Sequence, residues 1–66
     1  MSGHDLIEPL LTAGETAELL KLSKSKIYGM AKRKEIPHFR LGKNIRFRAT
    51  DLTKWLKNRE EIPSDY

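Results

Sequence analysis

The spacing of apolar residues changes period twice along this chain, from helical to alternating and back to helical. Pro9 precedes Leu10-Leu11, which reads as a short extended lead-in whose leucines fold back on a core. Thr12-Ala13-Gly14-Glu15 has the spacing of a capping box, in which Thr12 caps the Glu15 amide and the Glu15 carboxylate reaches back. The helix it opens carries Ala13, Ala17 and Leu20 on one face and ends near Lys21, whose charge suits the negative end of the helix dipole. Ser23 is a good cap for a second helix over 24–34. Ile27, Met30 and Ala31 form its inner face. Ser25, Gly29 and Lys32 point the opposite way, flanked by Lys26, Tyr28 and Arg33. Two short helices around a three-residue turn, with a basic outer face on the second, describe a helix-turn-helix.

Pro37 stops any continuation of that helix. The next residues, His38-Phe39-Arg40-Leu41 and Asn44-Ile45-Arg46-Phe47-Arg48, alternate around Gly42-Lys43, and a two-residue Gly-X loop between alternating runs is a hairpin signal. The expected inward set is Phe39, Leu41, Ile45 and Phe47. The expected outward set is His38, Arg40, Asn44, Arg46 and Arg48, with Lys43 at the tip. Thr50 is placed to cap a last helix with Asp51 in its first turn, a Leu52-Trp55-Leu56 stripe, and Lys57 and Arg59 at its end. The elements predict an α+β chain, mainly α: two N-terminal helices, a two-stranded hairpin and a C-terminal helix. Residues 10–59 form the expected domain, between flexible tails at 1–9 and 60–66.

Composition narrows this picture. A chain of 66 residues allows one domain. A domain that short buries only about 60% of the surface its unfolded form exposes, so the core is small. With no cysteine there is no disulfide or thiolate staple. No apolar run approaches the roughly 20 residues that span a bilayer, and the chain reads as soluble and intracellular, with no membrane partner. The net charge of +4 conceals a strong polarity. Between Lys21 and Arg48 stand ten basic residues and one acid, Glu35, which is +9, while the remainder carries −5. A concentrated positive field suits a polyanion, because each neutralised phosphate releases condensed counterions.

Catalysis is not expected. His4 and His38 lack the carboxylates at helical spacing that a metal site would need, and the four glycines fit no phosphate loop. Neither catalytic residues, nor a metal, nor a cofactor is expected. The basic residues sort into roles instead. On the second helix Ser23, Lys24, Ser25, Lys26, Tyr28, Gly29, Lys32 and Arg33 are the candidate DNA-binding set. Ser25 donates or accepts, Lys26 and Lys32 donate to guanine, and Tyr28 meets a phosphate or a thymine methyl. Gly29 in mid-helix is unfavourable by about 1 kcal/mol relative to alanine; close approach to DNA and simple tolerance account for it equally. On the hairpin Arg40, Lys43, Arg46 and Arg48 suit phosphates or a narrow minor groove. Asn44 serves either the turn or the DNA. Phe39, Phe47 and Trp55 are expected in the core, and His38 exposed beside the hairpin.

These residues, in this order, resemble the excisionase-type helix-turn-helix proteins, small relatives of the MerR DNA-binding domain with a winged-helix fold. The resemblance rests on Leu10-Leu11-Thr12 with Glu15 and Ala17, and on Leu22-Ser23 with Ile27-Tyr28. It continues through Ile36-Pro37, Phe39-Arg40-Leu41-Gly42-Lys43, Ile45-Arg46-Phe47-Arg48, Asp51-Leu52 and Trp55-Leu56. It implies a recognition helix in the major groove, with the hairpin as a wing along the minor groove or backbone. It also implies excision of a prophage or integrative element beside a recombinase, or transcriptional regulation. The partners implied are double-stranded DNA, further copies bound cooperatively on adjacent sites, and an integrase, in a bacterial or phage-encoded cytoplasmic protein at the nucleoid. Two positions depart from the family pattern. Lys34 stands where glycine is frequent, and would be strained if the site needs positive φ. Gly29 stands where many relatives carry arginine. A protein-interaction adaptor on the same scaffold is the alternative function, and RNA binding ranks third because a deep, narrow A-form groove excludes the helix.

Overall fold

The computed structural model describes residues 7–61, so most of the two expected tails, and His4, lie outside the described residues. In chain order the elements are β1 (Leu10–Leu11), α1 (Ala13–Leu20), α2 (Lys24–Lys32), β2 (Phe39–Leu41), β3 (Asn44–Arg48) and α3 (Ala49–Asn58). The fold is mainly helical α+β, a winged helix-turn-helix. Its sheet has three strands where two were expected, because Leu10–Leu11 pairs with β3; the order is β1-β3-β2, antiparallel throughout.

Local chemistry sets both helices of the helix-turn-helix. The capping box of α1 is complete: the Thr12 N–H donates to Glu15 Oε1 at 2.9 Å and the Glu15 N–H to Thr12 Oγ1 at 3.1 Å. At its other end Lys21 takes a left-handed conformation, φ 58. There the Leu22 N–H donates to the Ala17 carbonyl at 3.0 Å, and the Lys21 N–H to that of Glu18 at 3.3 Å. Ser23 caps α2, its Oγ accepting from the Lys26 N–H at 3.1 Å. This helix ends two residues earlier than expected, because Lys34 is also left-handed, φ 59. The Glu35 N–H then donates to the Met30 carbonyl at 2.8 Å and the Lys34 N–H to that of Ala31 at 3.0 Å, the paired closure of a Schellman end. Lysine therefore occupies a backbone region that costs an L-residue about 1–2 kcal/mol.

The core is centred on Ile27 of α2 and Phe47 of β3, both fully buried, with Ala13, Ala17, Met30, Ala31, Ile36 and Leu52 around them. Leu11, Leu20, Ile45 and Trp55 pack against its edge. Thr16 is the one buried polar side chain among the described residues, and its hydroxyl donates to the Thr12 carbonyl at 2.9 Å.

Two sequence expectations are corrected here. The hairpin pairs Phe39 with Arg46, Arg40 with Ile45 and Leu41 with Asn44. A two-residue turn joins an odd position to an even one, so the odd residues of β2 share a face with the even residues of β3. Ile45 and Phe47 face the core, but Phe39 and Leu41 lie on the opposite face with Asn44, Arg46 and Arg48. Leu41 is accordingly exposed and Phe39 half-buried. His38 is half-buried rather than exposed: its ring lies 6.3 Å from that of Phe47, and Nδ1 is 2.9 Å from the Ile36 carbonyl oxygen. Gly42, at φ +66, supplies the positive φ that the first position of such a turn demands.

Thr50 does not cap α3. Arg48 holds the cap position and makes no side-chain cap bond. The Glu8 carboxylate does that work from 42 residues away, accepting from the Thr50 N–H at 3.4 Å and from its hydroxyl at 3.2 Å. The α3 stripe is also narrower than expected: Leu52 is buried and Trp55 partly so, but Leu56 is exposed.

Candidate nucleic-acid interface

On α2 the buried residues are Ile27, Met30 and Ala31, as the periodicity requires. Ser23, Lys24, Ser25, Lys26, Tyr28, Lys32 and Arg33 are all exposed, so seven of the eight candidates are open to a ligand and only Gly29 is half-buried. Ser23, Lys24, Ser25 and Lys26 surround the helix N-terminus, where backbone N–H groups and the dipole favour an anion. Lys32, the last residue of α2, extends the positive strip toward Lys34.

Gly29 and Arg33 form a unit that sequence reasoning missed. The Arg33 guanidinium folds over Gly29, and a Cβ on that glycine would lie 3.3 Å from Nη1. The same guanidinium pairs with Glu35, Nε donating to Oε2 at 2.9 Å and Nη2 to Oε1 at 3.2 Å. Gly29 thus lets the C-cap arginine lie a few tenths of an ångström closer to the helix than a Cβ would allow. Glu35, the single acid of the basic segment, is also a hub of the backbone: its carbonyl accepts from Trp55 Nε1 at 2.9 Å. The Arg59 guanidinium lies over the Trp55 ring, 4.9 Å from its centroid. The hydrogen bonds from Arg33 hold the Glu35 carboxyl below the ordinary carboxylate range, aided by the charges of Arg33, Arg59 and Lys26. The same bonds raise the Arg33 guanidinium above its usual value.

The wing divides its cations. Arg40 lies on the core-side face of the hairpin, at the exposed end beyond the core, and Lys43 is exposed at the tip. Asn44 and Arg46 lie on the opposite face, where Arg46 Nη1 donates to the Ile45 carbonyl at 2.9 Å. Arg48 is held on that face by three contacts: the Phe39 ring 4.6 Å below its guanidinium, and carboxylates of Glu8 and Asp51 each at 3.8 Å. These contacts tie the segment preceding β1, the wing and α3 together at one side chain. The one early signal for this arrangement was the basic character of the strand; its partner Glu8 sits too far along the chain for any local pattern to show it.

Among the described residues no cluster of three or more His, Cys, Asp or Glu is placed to hold a metal ion, and no helix is long and apolar enough to cross a membrane.

A capped helix-turn-helix followed by a basic β-hairpin is the architecture of a nucleic-acid-binding module. Residues 10–60 match the family described as a helix-turn-helix domain, and the chain belongs to that family. No match was found among curated proteins or among solved structures. DNA binding through the helix-turn-helix follows from family membership.

Proposed function

We propose that the protein binds double-stranded DNA sequence-specifically and without catalysis, as an excisionase (a recombination directionality factor) or a small transcriptional regulator of MerR-like type. In this reading α2 enters the major groove and the wing lies on the adjacent minor groove or backbone. The folded unit spans residues 10–59 and works in the cytoplasm at the nucleoid, with further copies on adjacent sites and an integrase as protein partners. The observation that carries the reading is the placement of the exposed cations. Lys24, Lys26 and Lys32 stand on the unburied side of α2, and Arg40 and Lys43 at the outer end of the wing. Five such charges, each neutralising one phosphate, give a log–log salt slope of about −4 to −5. Titration of duplexes selected from a random pool, at a series of salt concentrations, tests this. A slope near zero, or no duplex binding, would refute it. A recombination assay with an integrase against a promoter-reporter assay separates the two biological roles.

The alternative, a protein-interaction adaptor, draws on a different surface. Leu19, 62% exposed, and Leu56, 47% exposed, flank a shallow groove of about 260 Å³ with Leu20, Ala49, Leu52 and Thr53. Under that reading, Leu19→Ser and Leu56→Ser abolish function while Lys26→Ala and Lys32→Ala leave it intact. The DNA reading requires the lysine changes to abolish it.

A further inference from the structure

We propose that Arg33 reads a guanine from the major groove and that Glu35 is the positioning residue that aims it. This rests on the DNA-binding reading above and deepens it. Gly29 lies roughly 150° around α2 from the centre of the buried face, and Arg33 roughly 110°, at 100° per residue. The guanidinium that folds over Gly29 therefore sits on the side that a recognition helix turns toward base edges.

Its hydrogen-bonding pattern decides what it can do. Glu35 occupies Nε and one N–H of Nη2. The end edge, Nη1 together with the second N–H of Nη2, makes no hydrogen bond among the described residues. That edge is the fork that matches the O6 and N7 acceptors of guanine. An arginine held on its side edge by a carboxylate keeps its end edge for a base, so the two contacts coexist.

The ordinary view of such a pair is an exposed salt bridge of little value. Three observations set this one apart. Glu35 is the single acid among ten bases, and a carboxylate beside DNA phosphates opposes binding unless it does something else. Its main chain is fixed on both sides, the N–H to the Met30 carbonyl at 2.8 Å and the carbonyl to Trp55 Nε1 at 2.9 Å. Glycine at position 29 lets the guanidinium lie a few tenths of an ångström closer to the helix than a Cβ would allow, against helix propensity. Anchored stem, two-point contact and close seat are what pre-organisation requires.

The test uses the full chain and duplexes selected from a random pool, with 7-deazaguanine replacing each preferred guanine in turn. Loss of N7 at one position is expected to weaken wild-type binding about ten- to a hundredfold. Glu35→Gln is expected to reduce the preference for that guanine over adenine at least about fivefold while leaving binding to unrelated duplexes unchanged or tighter. Arg33→Lys should remove the preference, and Glu35→Gln added to it should change nothing more. Circular dichroism checks the fold, which Glu35→Gln should preserve because the bond from Trp55 goes to the backbone. A uniform gain in affinity with base preference intact would overturn the proposal, leaving Glu35 a simple competitor of phosphate. So would the lack of any guanine whose N7 matters, with duplex binding otherwise normal. Failure of the wild type to bind duplexes at all would overturn both this proposal and the reading beneath it.

Discussion

Lys34 gives the sharpest test of how this backbone is held. It sits at φ 59 just past the Arg33 cap of α2, inside the pair of hydrogen bonds that closes the helix onto Met30 and Ala31. A side chain with a Cβ is disfavoured there by about 1–2 kcal/mol. Glycine removes that term but gives back about 0.5–1 kcal/mol of unfolded-state entropy. Replacing lysine also deletes a cation near the negative end of the helix dipole. Alanine provides the control: it deletes the same charge and keeps the Cβ. Lys34→Gly is therefore expected to exceed Lys34→Ala in stability by about 0.5–1 kcal/mol. For a domain of this size 1 kcal/mol moves the melting temperature by about 4–8 °C, so the two variants should melt about 2–8 °C apart. Thermal and urea unfolding followed by circular dichroism measures the gap. Duplex affinity should fall equally in both, because they lack the same ammonium group. Equal melting, or a more stable alanine variant, would show that the left-handed conformation is not a source of strain.

Phe47→Ala, which empties the fully buried centre of β3, should cost about 3–5 kcal/mol. That is close to the whole stability of so small a domain, so the variant should show no cooperative unfolding transition. Glu8→Gln should lower stability by about 0.5–1 kcal/mol, because the cap on α3 and the pairing with Arg48 are both weakened; unchanged melting would show that neither bond persists in solution. Glu35 titrates below its ordinary value in the folded protein, so its contribution is present at neutral pH and is lost as pH falls through that lowered value. Glu35→Gln should flatten the acid side of the melting-temperature profile, and a profile identical to wild type would contradict the bidentate pair.

How far the fold was legible follows from the range of each interaction. The capping box of α1, the Ser23 cap and the buried face of α2 are contacts within four residues, and their spacing is written directly in the chain. The hairpin was legible from Gly42, but its faces were not, because the expectation gave both strands the same odd-numbered inward set. The turn length forbids that: Phe39 turned outward to support Arg48. Glu8 and Thr50 are 42 residues apart, and nothing periodic connects them. Of the interface, the exposed lysines were legible as an amphipathic pattern. The Arg33–Glu35–Gly29 unit was not, since it depends on an arginine folding back along its own helix while the chain beyond the helix turns to meet it.

The turn at Gly42-Lys43 also limits how this hairpin can vary. Adding or deleting a single residue there would roll β2 over, taking Phe39 away from Arg48 and carrying Arg40 from one side of the ribbon to the other. Two residues gained or lost together would restore the original sidedness. Tolerated length changes at this tip should therefore come in even steps, and the ribbon can grow toward a duplex only by whole pairs of opposed positions.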